Sequence, residues 1–227
     1  MIKPKLGDGA FSGGAGTKNN PYEGDLGKGI AYDEFESKFI LPYQDGQDFP
    51  LSLNLYRTTA RRLVKYLPNK SGQKILDVGS GTGICTLETL LHSDVSVTGI
   101  EVSEGMLKVS KYKFHNEDQE DLELIKSVDD QVLLDYWNEF RKESEQYKNK
   151  VEFIRDDIQT TDKIQSGSID HVIANNVFHW TDPSKSFSQI HKFLKGKGEV
   201  IWNSSSHWYD DQVFPHKEYD FRLNDFI

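Results

Sequence analysis

A doubly wound α/β fold around a mostly parallel sheet is what this sequence predicts, on three observations. Short apolar, β-branched runs alternate with segments of helical periodicity from residue 51 onward, the pattern of repeated βαβ units. One of these runs, Lys74-Ile75-Leu76-Asp77-Val78, passes directly into Gly79-Ser80-Gly81-Thr82-Gly83 and then into a helical pattern. The next run ends on an acid, Glu101, about twenty residues past the glycines, the offset at which such folds place a carboxylate beside a ribose.

In chain order, Leu55, Tyr56, Ala60, Leu63, Val64 and Leu67 recur at helical spacing across 51–67, and Pro68 ends the pattern. Strand 1 spans 74–78 and is followed by a helix from Cys85 to Leu91. Strand 2 spans 95–100, and a helix begins near Ser103, whose hydroxyl suits an N-cap. Residues 112–150 exceed what a simple connection needs. Leu122, Ile125, Val132, Leu133, Tyr136, Trp137 and Phe140 form a helical stripe through an acidic background there, predicting an inserted amphipathic helix over 118–147. Strands 3, 4 and 5 are expected at 151–154, 169–174 and 199–202.

The glycine spacing narrows the ligand. A dinucleotide fingerprint, G-x-G-x-x-G, would need its third glycine at Ile84, so it fails. Asp77 inside the strand would repel a pyrophosphate but suits a ligand bearing an ammonium and a sulfonium. Over roughly residues 55–205 the chain resembles the class I S-adenosylmethionine-dependent methyltransferases. The resemblance implies a Rossmann-like methyltransferase domain over 51–227; the helical insert at 112–150 departs from the family's plan, and an N-terminal arm and cap is expected at 1–50. It implies S-adenosylmethionine as cofactor and S-adenosylhomocysteine as product. By the same resemblance Asp77, Gly79, Ser80, Gly81 and Gly83 pass under the methionine and ribose portions, Glu101 accepts from the ribose hydroxyls, and Val102 and Met106 bracket the adenine. In Arg155-Asp156-Asp157-Ile158 the family register makes Asp157 the acceptor for the adenine amine and Ile158 the backbone donor to a ring nitrogen. A slip of one would exchange the aspartates. Adjacent aspartates can also hold a metal, but no His or third carboxylate stands at close spacing, so no metal is expected.

Strand 4 leads into Asn175-Asn176-Val177-Phe178-His179-Trp180, similar to a segment of small-molecule methyltransferases of the trans-aconitate type that closes on the methionine moiety. No Asn-Pro-Pro-Tyr signature of adenine or glutamine methylation is present. A small-molecule acceptor, methylated at oxygen, nitrogen or a carboxylate, is the reading; a catalytically silent interaction subunit is the rival. His179 and His207 lie past strands 4 and 5, where sites in such sheets sit. Each is a candidate general base, although a histidine in such a place is more often a packing or hydrogen-bonding residue.

With 27 basic against 36 acidic residues, the net charge of −9 argues against nonspecific nucleic-acid or anionic-membrane partners. Arg57, Arg61, Arg62 and Lys65 make a basic helix face, read as solvated. The single cysteine, Cys85, reads as core filler. No basic region followed by an apolar run opens the chain, and no segment approaches the roughly 18 apolar residues that span a bilayer, so a cytoplasmic protein is expected. The glycine-rich stretch 1–29 reads as a mobile arm. Residues after Ser206 are too few for the family's last helix and hairpin, so the sheet's end looks incomplete. The aromatic tail (Trp208, Tyr209, Phe214, Tyr219, Phe221, Phe226) and the insert are surfaces through which two copies could pair.

Overall fold

The computed structural model describes residues 29–30, 32–33, 36–37, 55–68, 70–117 and 128–203. Helix α1 (Leu55–Val64) leads to β1 (Lys74–Val78), α2 (Ile84–His92), β2 (Ser96–Glu101), α3 (Glu104–Lys113) and α4 (Gln131–Ser144). A 3-10 turn (Glu145–Tyr147), β3 (Val151–Arg155), β4 (Ile169–Asn175), a second 3-10 turn (Phe178–Trp180), α5 (Pro183–Phe193) and β5 (Leu194–Asn203) follow. The five strands are parallel in the order β3-β2-β1-β4-β5. β1 is central, and Ile75 through Val78 are buried without interruption, because a central parallel strand is covered on both faces.

Two clusters cover those faces. Ile75 points to one, with α1, α2, α3 and α4. Leu76 and Val78 point to the other, with α5 and the 156–168 connection, which crosses from β3 to β4 without a helix and anchors itself through Ile158 and Ile164. β5 begins five residues before its expected start because α5 runs directly into it, and α1 ends at Val64, three residues before the periodicity suggests, with its expected first residues, 51–54, outside the described set.

The expected inserted helix is α4, with its first expected residues, 118–127, outside the described set. Asp130 caps it by accepting from the Leu133 N–H at 3.1 Å. Its stripe of Leu133, Tyr136, Trp137, Phe140 and Ser144 is buried. The stripe packs on the domain's own core: Trp137 meets Tyr112 and Phe140 meets Phe114, each edge to face with centroids 5.5 Å apart. Tyr112 and Lys113, placed in the insert by the sequence reading, instead end α3.

Residues 29, 30, 32, 33, 36 and 37 are helical and dock on this face. Asp33 is fully buried, and one of its oxygens accepts from Lys113 Nζ at 2.8 Å and from Trp137 Nε1 at 2.7 Å. Lys113 is fully buried as well, with Nζ 4.1 Å from the centre of the Phe140 ring. Burial lowers the Lys113 pKa, and the Asp33 charge opposes that. Glu36 lies at the start of α1 and accepts from the Arg57 N–H at 3.2 Å. Burial raises its carboxyl to about 7 against that hydrogen bond.

The basic face of α1 is therefore only partly solvated, a correction to the sequence reading. Arg57 is 14% exposed and pairs with Glu88 and Glu143, while Arg61 reaches Glu88 at 3.0 Å from solvent. Glu88 faces α1 from the buried side of α2, and that carboxylate draws Arg57 inward. Residues 1–28 and the aromatic tail lie outside the described residues. None of the described helices is long and apolar enough to cross a membrane.

Removing one partner of a buried ion pair leaves the other charge uncompensated, at a cost of about 3–5 kcal/mol. Asp33→Ala should lower the urea midpoint accordingly, and Asp33→Asn, which retains an acceptor for Trp137, should lower it less. Equal midpoints for Asp33→Ala and the parent would show that the pair does not hold this face together.

Candidate functional site

The strand order reverses between β1 and β4, since β1 continues to β2 on one side and the chain returns to β4 on the other. Crevices at such switch points, outside the carboxyl ends of the strands, are where ligands bind in open α/β sheets. Here the crevice is flanked by Gly79–Gly83 after β1 and Asn175–Trp180 after β4.

Gly79, Gly81 and Gly83 all have left-handed backbone, with φ of 64°, 54° and 86°. The loop is tied down by Gly79 N–H to Ile100 O at 2.9 Å and Gly83 N–H to Ser80 O at 2.9 Å. A Cβ on Gly79 would overlap Val177, and one on Gly83 would overlap Phe114. At Gly81 a Cβ would meet nothing nearer than the Gly79 carbonyl at 3.9 Å. The loop is thus packed at both ends and open over its middle.

Glu101 faces this opening. One oxygen accepts from the Gly81 N–H at 3.0 Å and the other from the Ser103 N–H at 2.9 Å, so each keeps acceptor capacity for a further donor. Burial raises its pKa and these backbone donors lower it. Asp77 is fully buried. Its Oδ2 accepts from Thr86 Oγ1 at 2.6 Å, while Oδ1 has no partner among the described residues. Burial, with a smaller contribution from Glu101, raises its carboxyl to about 7 despite the Thr86 hydrogen bond. Ser80 Oγ, Thr82 Oγ1 and Asn175 Oδ1 are likewise buried without partners among the described residues. Four unsatisfied polar atoms at adjoining strand ends, beneath an open loop, fit a polar ligand bearing a cation and hydroxyls.

The end of β3 joins the same region through Asp156 N–H to Glu101 O at 3.1 Å. Asp156 is occupied by the Asp157 N–H, by Thr161 Oγ1 at 2.9 Å and by Lys163 at 3.4 Å. Among the described residues the Asp157 carboxylate accepts only from Gln159, through its N–H at 2.9 Å and its Nε2 at 3.1 Å to each oxygen. Of the two aspartates Asp157 is therefore the less committed. Ile158 is buried, and its N–H has no hydrogen-bond partner among the described residues. Val102 is half-buried and Met106, at the first turn of α3, is buried. Asn175 Nδ2 donates to Tyr56 O at 3.2 Å.

His179 has its backbone in the turn Phe178–Trp180, and His207 lies outside the described residues. Cys85 is 5% exposed and burial pushes its thiol well above the usual range, as befits a packing residue. Among the described residues no group of three or more His, Cys, Asp or Glu is placed to hold a metal. Sequence reasoning missed Thr86, Val177 and Gln159. A hydroxyl on the buried face of α2, nine residues past a buried acid, was the available signal for Thr86.

Two family models match overlapping parts of the chain. The ubiE/COQ5 methyltransferase family matches residues 40–138 and a methyltransferase domain matches 122–202, so they meet within the insert. Among curated proteins, the chain is 31% identical to the 27-O-demethylrifamycin SV methyltransferase of Amycolatopsis mediterranei, over 53% of this chain and 42% of that protein. It is 23% identical to a demethylmenaquinone methyltransferase of Bacteroides fragilis, over 81% and 64%. It is 28% identical to the highly reducing polyketide synthase pks5 of Leptosphaeria maculans, over 68% and 6%. The chain thus spans less than two thirds of the length of these relatives. A crystal structure from Methanococcus maripaludis, provisionally assigned as an S-adenosyl-L-methionine-dependent methyltransferase, superposes with a TM-score of 0.52 at 17% identity, covering 79% of this chain and 64% of that one. With the glycine turn, a carboxylate at the end of the neighbouring strand and the parallel sheet in one arrangement, the chain is similar to the class I S-adenosylmethionine-dependent methyltransferases.

Proposed function

We propose that this chain transfers a methyl group from S-adenosylmethionine to a small-molecule acceptor. The observation that carries the reading is Glu101, locked onto the Gly81 N–H with spare acceptor capacity on both oxygens, beside a loop open over its middle. The relatives named for a demethylated rifamycin and for demethylmenaquinone support a small organic acceptor, while the matched models support the reaction class.

The residues fit the cofactor as follows. Glu101 would accept from the ribose hydroxyls, the Gly79–Gly83 turn would pass beneath the methionine and ribose portions, and Asp77 would offset the positive end of the ligand. Asp157 and the Ile158 N–H would take the adenine edge, with Val102 and Met106 beside the ring. When bound, S-adenosylmethionine supplies a methyl already activated by its sulfonium. The protein's work is then to position the acceptor in line with the carbon–sulfur bond and to exclude water. An acceptor that must lose a proton would also need a base, for which His179, in the turn after β4, and His207 are the candidates.

Stranding two ribose hydroxyls costs on the order of 1.5–3 kcal/mol for hydrogen bonds to a charged group. Glu101→Ala should therefore weaken S-adenosylhomocysteine binding by about 10–100-fold in calorimetry. Unchanged affinity, or clear binding of a nicotinamide dinucleotide by the parent chain, would overturn the assignment.

Asp77 supplies a pH test. Its raised carboxyl, at about 7, means that the buried acid favours the fold at low pH and that this contribution is lost as pH rises toward and through about 7. A cationic ligand reverses the preference and needs the carboxylate. Binding of S-adenosylmethionine should strengthen as pH rises through about 7 and weaken by up to about tenfold per unit below it. Asp77→Asn should flatten that dependence between pH 6 and 8; an equal slope in the variant would remove Asp77 from the account.

A further inference from the structure

Gln159 stands in the connection after β3 and makes five hydrogen bonds that reach in two directions. Its Oε1 accepts from the Asp182 N–H at 2.9 Å, and Asp182 is the N-cap of α5, accepting from Ser184 N–H at 3.0 Å. Its own carbonyl accepts from Gln189 Nε2 at 3.3 Å. A backbone N–H can only donate, so the bond from Asp182 fixes which end of the Gln159 amide is oxygen. The amide nitrogen must then face Asp157, where it sits 3.1 Å from both carboxylate oxygens.

The consequence falls on Asp157. Oδ1 receives the Gln159 N–H as well as the amide nitrogen, whereas Oδ2 receives the amide nitrogen alone. One oxygen is saturated and the other keeps an open acceptor position. The following residue offers an N–H with no partner among the described residues. An acceptor and a donor on consecutive residues complement the amine and ring nitrogen along the adenine edge. Hypoxanthine presents the reverse order, a carbonyl oxygen and a ring N–H, and would meet acceptor with acceptor and donor with donor.

We propose that Gln159 is a positioning residue for base selectivity: anchored on the Asp182 N–H, it orients the Asp157 carboxylate so that the site takes an adenosyl and rejects an inosyl ligand. This rests on the adenosyl site proposed above. It adds that the selectivity depends on a residue whose own side chain is directed at Asp157 and α5. Because Asp182 follows the Asn175–Trp180 segment, the same amide joins the loops beyond β3 and β4.

The experiment compares S-adenosylhomocysteine with S-inosylhomocysteine, by calorimetry, on the parent chain and on Asp157→Ala, Gln159→Leu and Gln159→Glu. The ratio of the two dissociation constants, measured on one preparation, is insensitive to any loss of folded protein. Gln159→Glu retains an acceptor for Asp182 and sets a carboxylate against Asp157; Gln159→Leu removes the amide at similar size. Both should reduce the preference for the adenosyl ligand by about tenfold or more, chiefly through weaker S-adenosylhomocysteine binding, and Asp157→Ala should abolish it. A preference lost in Asp157→Ala but intact in both Gln159 variants would overturn the role given to Gln159. No preference in the parent, or one that survives Asp157→Ala, would instead bring down the adenine reading of Asp157 on which the inference stands.

Discussion

Contact between Val177 and the Cα of Gly79 is the constraint on which the rest of the site depends. The loops after β1 and β4 must approach this closely for the crevice between them to have walls, and any side chain at Gly79 would occupy the space Val177 fills. Left-handed backbone at three alternate positions lets the chain leave β1 and enter α2 within a few residues while the middle of the loop stays open. Gly81 donates its N–H to Glu101, so the same turn fixes the carboxylate on the neighbouring strand. Replacing Gly79 would drive a side chain into Val177, and replacing Gly81 would strain the left-handed turn whose N–H holds Glu101.

A second constraint lies on the face away from α5. Asp33 and Lys113 have no measurable exposure, and charges buried this far from water must be paired, because removing either partner leaves the other uncompensated. Asp33 satisfies Lys113 from α3 and Trp137 from α4 with one oxygen. Arg57 of α1 answers Glu88 of α2 and Glu143 of α4. Through Trp137 and Glu143 the insert is thereby bound to the Asp33 segment and to α1 by directed polar contacts as well as by its apolar stripe, and it belongs to the domain's core.

Much of the fold was legible because it is written in local pattern. β1 falls on residues 74–78 as its apolar run and glycine boundary indicate, and Ser103 caps α3 by accepting from the Met106 N–H. The stripe of α4 announced a buried face, though what covered it did not follow from the stripe. Glycines and an acid separated by one βαβ unit could be paired on paper, since the connection between adjacent parallel strands fixes their relative placement. Asp33 could not be paired with Lys113 or Trp137, which lie 80 and 104 residues away; polar residues in isolation read as surface. Gln159 was hidden for a related reason. An amide in a polar connection carries no periodic signal, and its partners belong to a loop that joins only when β4 packs beside β1.

Cys85 has a use that its burial creates. It is the only thiol in the chain, it sits one residue into α2 directly behind Gly83, and burial keeps it protonated and covered. A thiol so placed is inert until the helix lifts from the sheet, which makes it a built-in clock for that opening. The pace of its alkylation counts excursions of the glycine turn without any introduced label.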